Sequence, residues 1–147
     1  MANDKELKDV TDVQKITEIR YEQLNEEFRR FPGIFAYWAQ LEAEARGKVL
    51  VAKALMEQTY ARLATEHRGR ADFHKIKITE AQVEEKVTQE AEYVKVKEGF
   101  NKATGDSLRI SAVVSALEKK GDMLKQLGYV RSAELAHLDE GTLPAKK

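Results

Sequence analysis

Gly105-Asp106-Ser107-Leu108 is the one run in this 147-residue chain that spells a nucleophile motif, a Gly-Asp-Ser-Leu signature of serine hydrolases. A serine nucleophile needs a strand-to-helix turn that lifts its hydroxyl beside oxyanion donors and within reach of a histidine. No strand pattern precedes Ser107, too little chain follows it for an α/β sheet, and the Asp-x-x-His partner is replaced by Glu134-Leu135-Ala136-His137. Asp106 or Ser107 reads better as the N-cap of a last helix. His67, His74 and His137 lack the carboxylate company and spacing of a metal site. Phosphate-cradling, dinucleotide, His-Glu-x-x-His and EF-hand patterns are also absent. The expectation is no catalytic residue, no metal and no cofactor.

The informative chemistry is charge. With 25 Lys+Arg against 25 Asp+Glu the chain is neutral overall, but the charge is unevenly spread. Residues 45–77 carry eight basic groups (Arg46, Lys48, Lys53, Arg62, Arg68, Arg70, Lys75 and Lys77) against Glu57, Glu66 and Asp72, an excess of +5. Residues 1–44 and 78–106 carry -4 and -3. Tyr60 and Phe73 lie among the basic groups, and rings beside phosphate-binding cations suit single-stranded nucleic acid, whose bases stack on them. The other reading is a solvated helix whose cations flank a core stripe and pair with the acidic segment at 80–98.

The elements that must position these groups are helical. A stripe of Trp38, Leu41, Ala45, Val49, Ala52, Met56, Tyr60 and Leu63, at steps of three or four, predicts a long core-facing helix. Before it, a helix from about Asp12 to Arg30 is expected to end in a turn at Phe31-Pro32-Gly33. From Arg68-Gly69-Arg70 to Thr79 the helical pattern stops, and the alternation Phe73 to Ile78 predicts a short strand or extended loop. Thr79-Glu80-Ala81-Gln82 has the form of a capping box, with Ile78 placed to staple onto Val83. The last helix, roughly Ser107 to Leu138, carries a near-heptad seam of Leu117, Gly121, Leu124, Gly128, Arg131, Leu135 and Leu138. Its glycines permit close approach of a partner helix.

The resulting expectation is an all-α, elongated subunit of antiparallel long helices. It has a short extended segment near 72–78, one domain over 1–147, and frayed termini at 1–10 and 140–147. Charge at 34% and a mean hydropathy of -0.56 suit exposed helices that bury more surface by self-association. Zero cysteines fit a reducing cytoplasm. Apolar runs such as Val49–Ala52 are far short of a membrane span, and the polar start lacks a signal-peptide core.

Tyr37-Trp38 through Tyr60-Ala61-Arg62-Leu63 and Arg68-Gly69-Arg70, then Leu117 to Leu124 and Arg131-Ser132-Ala133-Glu134, resemble the UvsY-type recombination mediators of bacteriophages. The likeness covers roughly Phe35 to Leu138. It implies small helical subunits in a homo-oligomeric ring that bind single-stranded DNA and help load a RecA-type recombinase where single-strand binding protein covers the strand, in the host cytoplasm. The family's Lys-Ala-Arg string corresponds here to Tyr60-Ala61-Arg62, so Arg62 carries over and the lysine does not; Lys53 or a stacking Tyr60 takes its place. The expected DNA-binding residues are Arg46, Lys48, Lys53, Tyr60, Arg62, Arg68, Arg70 and Lys75. The alternative is a helical scaffold or adaptor without nucleic-acid binding.

Overall fold

The computed structural model describes residues 10–141, with side chains from 13 to 138. The expected frayed termini fall almost wholly outside that range. Four α-helices appear: α1 (Val10–Thr17), α2 (Leu24–Phe73), α3 (Glu80–Gln89) and α4 (Ala91–Gly141), with a 3-10 turn at Tyr21–Gln23. There is no strand among the described residues. The chain divides into two compact units, Met1–Ala39 with Ala112–Lys147, and Gln40–Ser111. Both α2 and α4 contribute to each.

In the first unit α2 and α4 run antiparallel, and the glycine seam is what lets them close. A Cβ at Gly121 would lie 2.9 Å from Phe31 Cζ, and one at Gly128 would lie 3.3 Å from Phe28 Cζ. Arg131 donates to Asn25 Oδ1 at 3.1 Å, continuing the register. Leu117 and Leu124 are fully buried on this seam, but Leu135 and Leu138 are 56% and 66% exposed. The heptad therefore runs on past the layers that α2 covers.

The expected turn at Phe31-Pro32-Gly33 does not form, because Pro32 lies inside α2. An interior proline costs about 3 kcal/mol through its lost N–H and ring clash. The rings of Phe28 and Phe31, in the turn before it, lie against Gly128 and Gly121 of α4, and the helix continues through the proline. The break comes earlier. Thr17 Oγ1 bonds back to the carbonyl of Val13 at 2.9 Å, and α1 ends there. Lys120 Nζ then donates to the carbonyl oxygens of Ile16 (2.8 Å), in the last turn of α1, and Glu18 (2.9 Å), just after it, and to Glu27 Oε2 (2.7 Å). All three ammonium protons are used, in a site where the Lys120 side chain is 2% exposed and that of Glu27 is 7%. Arg20 Nε donates to the other Glu27 oxygen at 3.1 Å.

In the second unit the expected core stripe holds. Ala45 and Leu63 are buried with Ala64, Ala71, Val83 and Val87, and Tyr60, Ile78 and Tyr93 pack on the cluster of Leu63, Ala64, Val83 and Val87. The capping box forms in both directions: Thr79 Oγ1 accepts from the Gln82 amide and the Gln82 side chain accepts from the Thr79 amide. Glu90 alone, with extended backbone, separates α3 from α4.

Three further features differ from expectation. Helix α2 passes through Arg68-Gly69-Arg70 to Phe73 because burial of Ala71 rewards the extra turn. The alternation from Phe73 to Ile78 builds no strand, since Phe73 and Ile76 face solvent and only Ile78 reaches the core. Helix α4 is unbroken at Gly99 and Gly105, so Asp106 and Ser107 are interior helical residues rather than a cap.

Replacing Lys120 by Met strands the Glu27 carboxylate and is expected to cost roughly 3–5 kcal/mol in denaturant melts, most of it recovered in Lys120→Met/Glu27→Leu. Burial acts to raise the Glu27 pKa, but the hydrogen bonds and charges of Lys120 and Arg20 together hold it below the ordinary carboxylate value of 4.5. Its contribution is therefore complete above that value. It is lost as pH falls through the lowered one, which acid titration of the wild type and of the double variant would separate.

Candidate nucleic-acid interface

Seven of the eight expected DNA-binding residues, Arg46, Lys48, Lys53, Tyr60, Arg62, Arg68 and Arg70, ride on α2; Lys75 follows the helix in its terminal turn. At 100° per residue the cations form two rows. Arg46, Lys53 and Arg68 lie on one border of the core stripe and Lys48 and Arg62 on the other, while Arg70 follows the end of the stripe itself. In and between the rows, Leu50 (68% exposed), Val51 (71%) and Leu55 (51%) are apolar residues that nothing among the described residues covers.

Most of the cations have carboxylate neighbours. Arg46 pairs with Glu42 at 2.8 Å, Lys53 with Glu57 at 3.8 Å, and Arg70 with Glu66 at 3.8 Å. Arg62 reaches Glu66 on its own helix and Glu92 on α4. Arg68 grips Glu80 of α3 with two nitrogens, at 2.7 and 3.3 Å. The hydrogen bonds of Arg62 to Glu92 and then Glu66 raise its pKa, as that of Arg68 to Glu80 does; Glu80 is lowered in return. Glu42 is lowered chiefly by the hydroxyl of Ser111, which donates to it at 2.6 Å, and then by Arg46.

Lys48 and Lys75 have no ion pair among the described residues. Tyr60 is half-buried, its ring edge-on to Tyr93 at 5.8 Å. It packs on the core cluster of Leu63, Ala64, Val83 and Val87.

The terminal turn of α2 has its own geometry. Lys75 N–H bonds the Asp72 carbonyl (3.0 Å) and Ile76 N–H that of Ala71 (2.9 Å), a Schellman closure. Its left-handed position is filled by Lys75 at φ 55°, the sole non-glycine positive φ among the described residues. Phe73, 82% exposed, rests edge-on against His74 with ring centroids 5.1 Å apart. A groove of about 570 Å³ opens beside the turn, between the end of α2, the connection and α3; Arg70, His74, Lys77 and Lys86 are on its wall.

Sequence reasoning counted Lys77 in the basic segment without selecting it. It passed over Lys86, whose acidic surroundings hid it; only the fold-back of α3 against α2 brings it to the basic turn. His67 lines the same groove, its Nε2 lying 3.1 Å from Glu90 Oε1 but off hydrogen-bonding alignment.

The serine-nucleophile geometry is not formed. Ser107 sits within a regular helix, and Asp106 faces Arg109 at 3.6 Å. No helix among the described residues is long and apolar enough to cross a membrane. No family model matches the chain, and neither a curated protein nor a solved structure matches it.

A lysine in the left-handed region is strained by about 1 kcal/mol relative to glycine. Lys75→Gly is therefore expected to raise the thermal midpoint by a few degrees, measured by circular dichroism, while removing one ammonium group.

Proposed function

We propose that the protein is a non-enzymatic mediator of DNA recombination that binds single-stranded DNA as a homo-oligomer. In this reading it helps a RecA-type recombinase load onto strands covered by single-strand binding protein. The observation that carries the reading is the run of solvent-facing cations from Arg46 to Lys75 in one unit of an otherwise neutral chain. Repeated around a ring, such a segment becomes a cationic track. The resemblance to UvsY-type mediators supplies the biological setting, including the host cytoplasm.

The ion pairs do not oppose this. Exposed pairs are worth about 0–1 kcal/mol, and an arginine with five donors can keep a carboxylate and still meet a phosphate. Phosphates would exchange with carboxylates and condensed counterions, so affinity comes from charge and falls with salt. The two rows on α2 face away from each other, so one strand meets both only by wrapping or by passing between subunits. Bending the strand in this way would expose it for recombinase nucleation, and no covalent step is needed.

A second reading, a helical scaffold or adaptor, is favoured by the pairs Arg62–Glu92 and Arg68–Glu80, which join the basic helix to the acidic segment after it.

Fluorescence anisotropy of labelled single-stranded and duplex oligonucleotides across a salt series separates the two. The mediator reading expects preference for single strands and an affinity that falls steeply with salt. It also expects Lys53→Glu/Arg62→Glu to weaken binding more than ten-fold while light scattering reports the same oligomer. Absent binding at low salt, or loss of the oligomer in that variant, supports the scaffold.

A further inference from the structure

Within unit Gln40–Ser111, the α2 cations and those at the turn after α2 differ in one respect. The guanidinium groups on the helix each have a carboxylate in reach, whereas Lys75, Lys77 and Lys86 have none among the described residues. Lys77 and Lys86 enter the groove from different elements, the connection and the last turn of α3, and Arg70 enters from the end of α2. Glu85 is the one acid on the wall, and Glu66 stands behind Arg70 at 3.8 Å. The balance on the lining is positive. An ammonium pair without a counter-ion beside an open groove is a ready site for an anion.

A second observation, independent of charge, names the kind of anion. Phe73 is held out in solvent on the ring of His74, itself part of the groove wall, by a turn closed through a strained lysine. An exposed ring resting on a residue of the groove wall, with unpaired ammonium groups on that same wall, is an arrangement that takes one nucleotide, base on ring and phosphate on ammonium.

We propose that this groove is the principal contact for single-stranded nucleic acid, with Lys77, Lys86 and Arg70 holding backbone phosphates and Phe73 stacking a base. The inference rests on the DNA-binding reading above and moves its centre from the paired cations of α2 to the turn that follows them. Tyr60, locked against Tyr93, is then a packing residue, and Phe73 is the stacking ring.

The test is anisotropy of a labelled oligothymidylate with the full chain, read as affinity and as the slope of log affinity against log salt. Lys77→Gln/Lys86→Gln should lose more than ten-fold and flatten the slope by about 1.4, two contacts at roughly 0.7 each for a single strand. Phe73→Ala should lose roughly ten-fold with the slope unchanged, because stacking releases no counterions. All three side chains face solvent, so the helical signal and melting midpoint should match wild type and certify the fold. Wild-type binding with both variants indistinguishable from it overturns the groove and leaves the DNA reading intact. No binding by the wild type at low salt removes that reading, and the inference with it.

Discussion

The ammonium group of Lys120 is the constraint on which the first unit depends. Buried charge is costly unless every proton has an acceptor, and here the three acceptors are the carbonyl of Ile16 in the last turn of α1, that of Glu18 just after it, and the carboxylate of Glu27 on α2. The group fixes where α1 must stop, since such carbonyls are free only in the last turn of a helix or beyond it. It also fixes the height of α4 beside α2. Arginine could not substitute, because a planar fork cannot send three bonds in the directions the tetrahedral ammonium uses. The glycine seam then does the remaining work at close range, each missing Cβ receiving a phenylalanine ring from α2.

What the sequence displayed clearly was local or periodic. The stripe from Trp38 to Leu63 reported a core face because helical spacing is a property of neighbours along the chain. The capping box at Thr79 needed four residues to be recognised, and it is present in full. What could not be read depended on residues far apart. Pro32 looked like a turn, and only the rings of Phe28 and Phe31 meeting glycines some ninety residues later keep the helix running through it. Lys120 looked like any surface lysine within Glu118-Lys119-Lys120. The charge segregation of the candidate site was legible, but its pairing was not, because Arg68 and Glu80 approach only when the turn after Phe73 folds α3 back.

The low amphipathicity of α2 also has a physical meaning. A helix with one apolar stripe has one partner to satisfy, whereas α2 also exposes Leu50, Val51 and Leu55 among its two basic rows. Two like-charged borders disfavour a direct face-to-face pairing of the same surface in two copies. They suit instead a neighbour that brings negative charge to both edges at once.

The overrunning heptad of α4 makes its local stability uneven. Around Leu117 and Leu124 the backbone amides are sealed beneath side chains, so their exchange with solvent deuterium requires the unit to open. From Arg131 to Leu138 every residue is exposed, and a helix end with so little burial unravels and re-forms more readily than the sealed layers before it. Slow deuterium uptake across those residues in the isolated protein would therefore mean that the two open leucine layers are covered. A steep rise in uptake beyond Gly128 would mean that they stand uncovered.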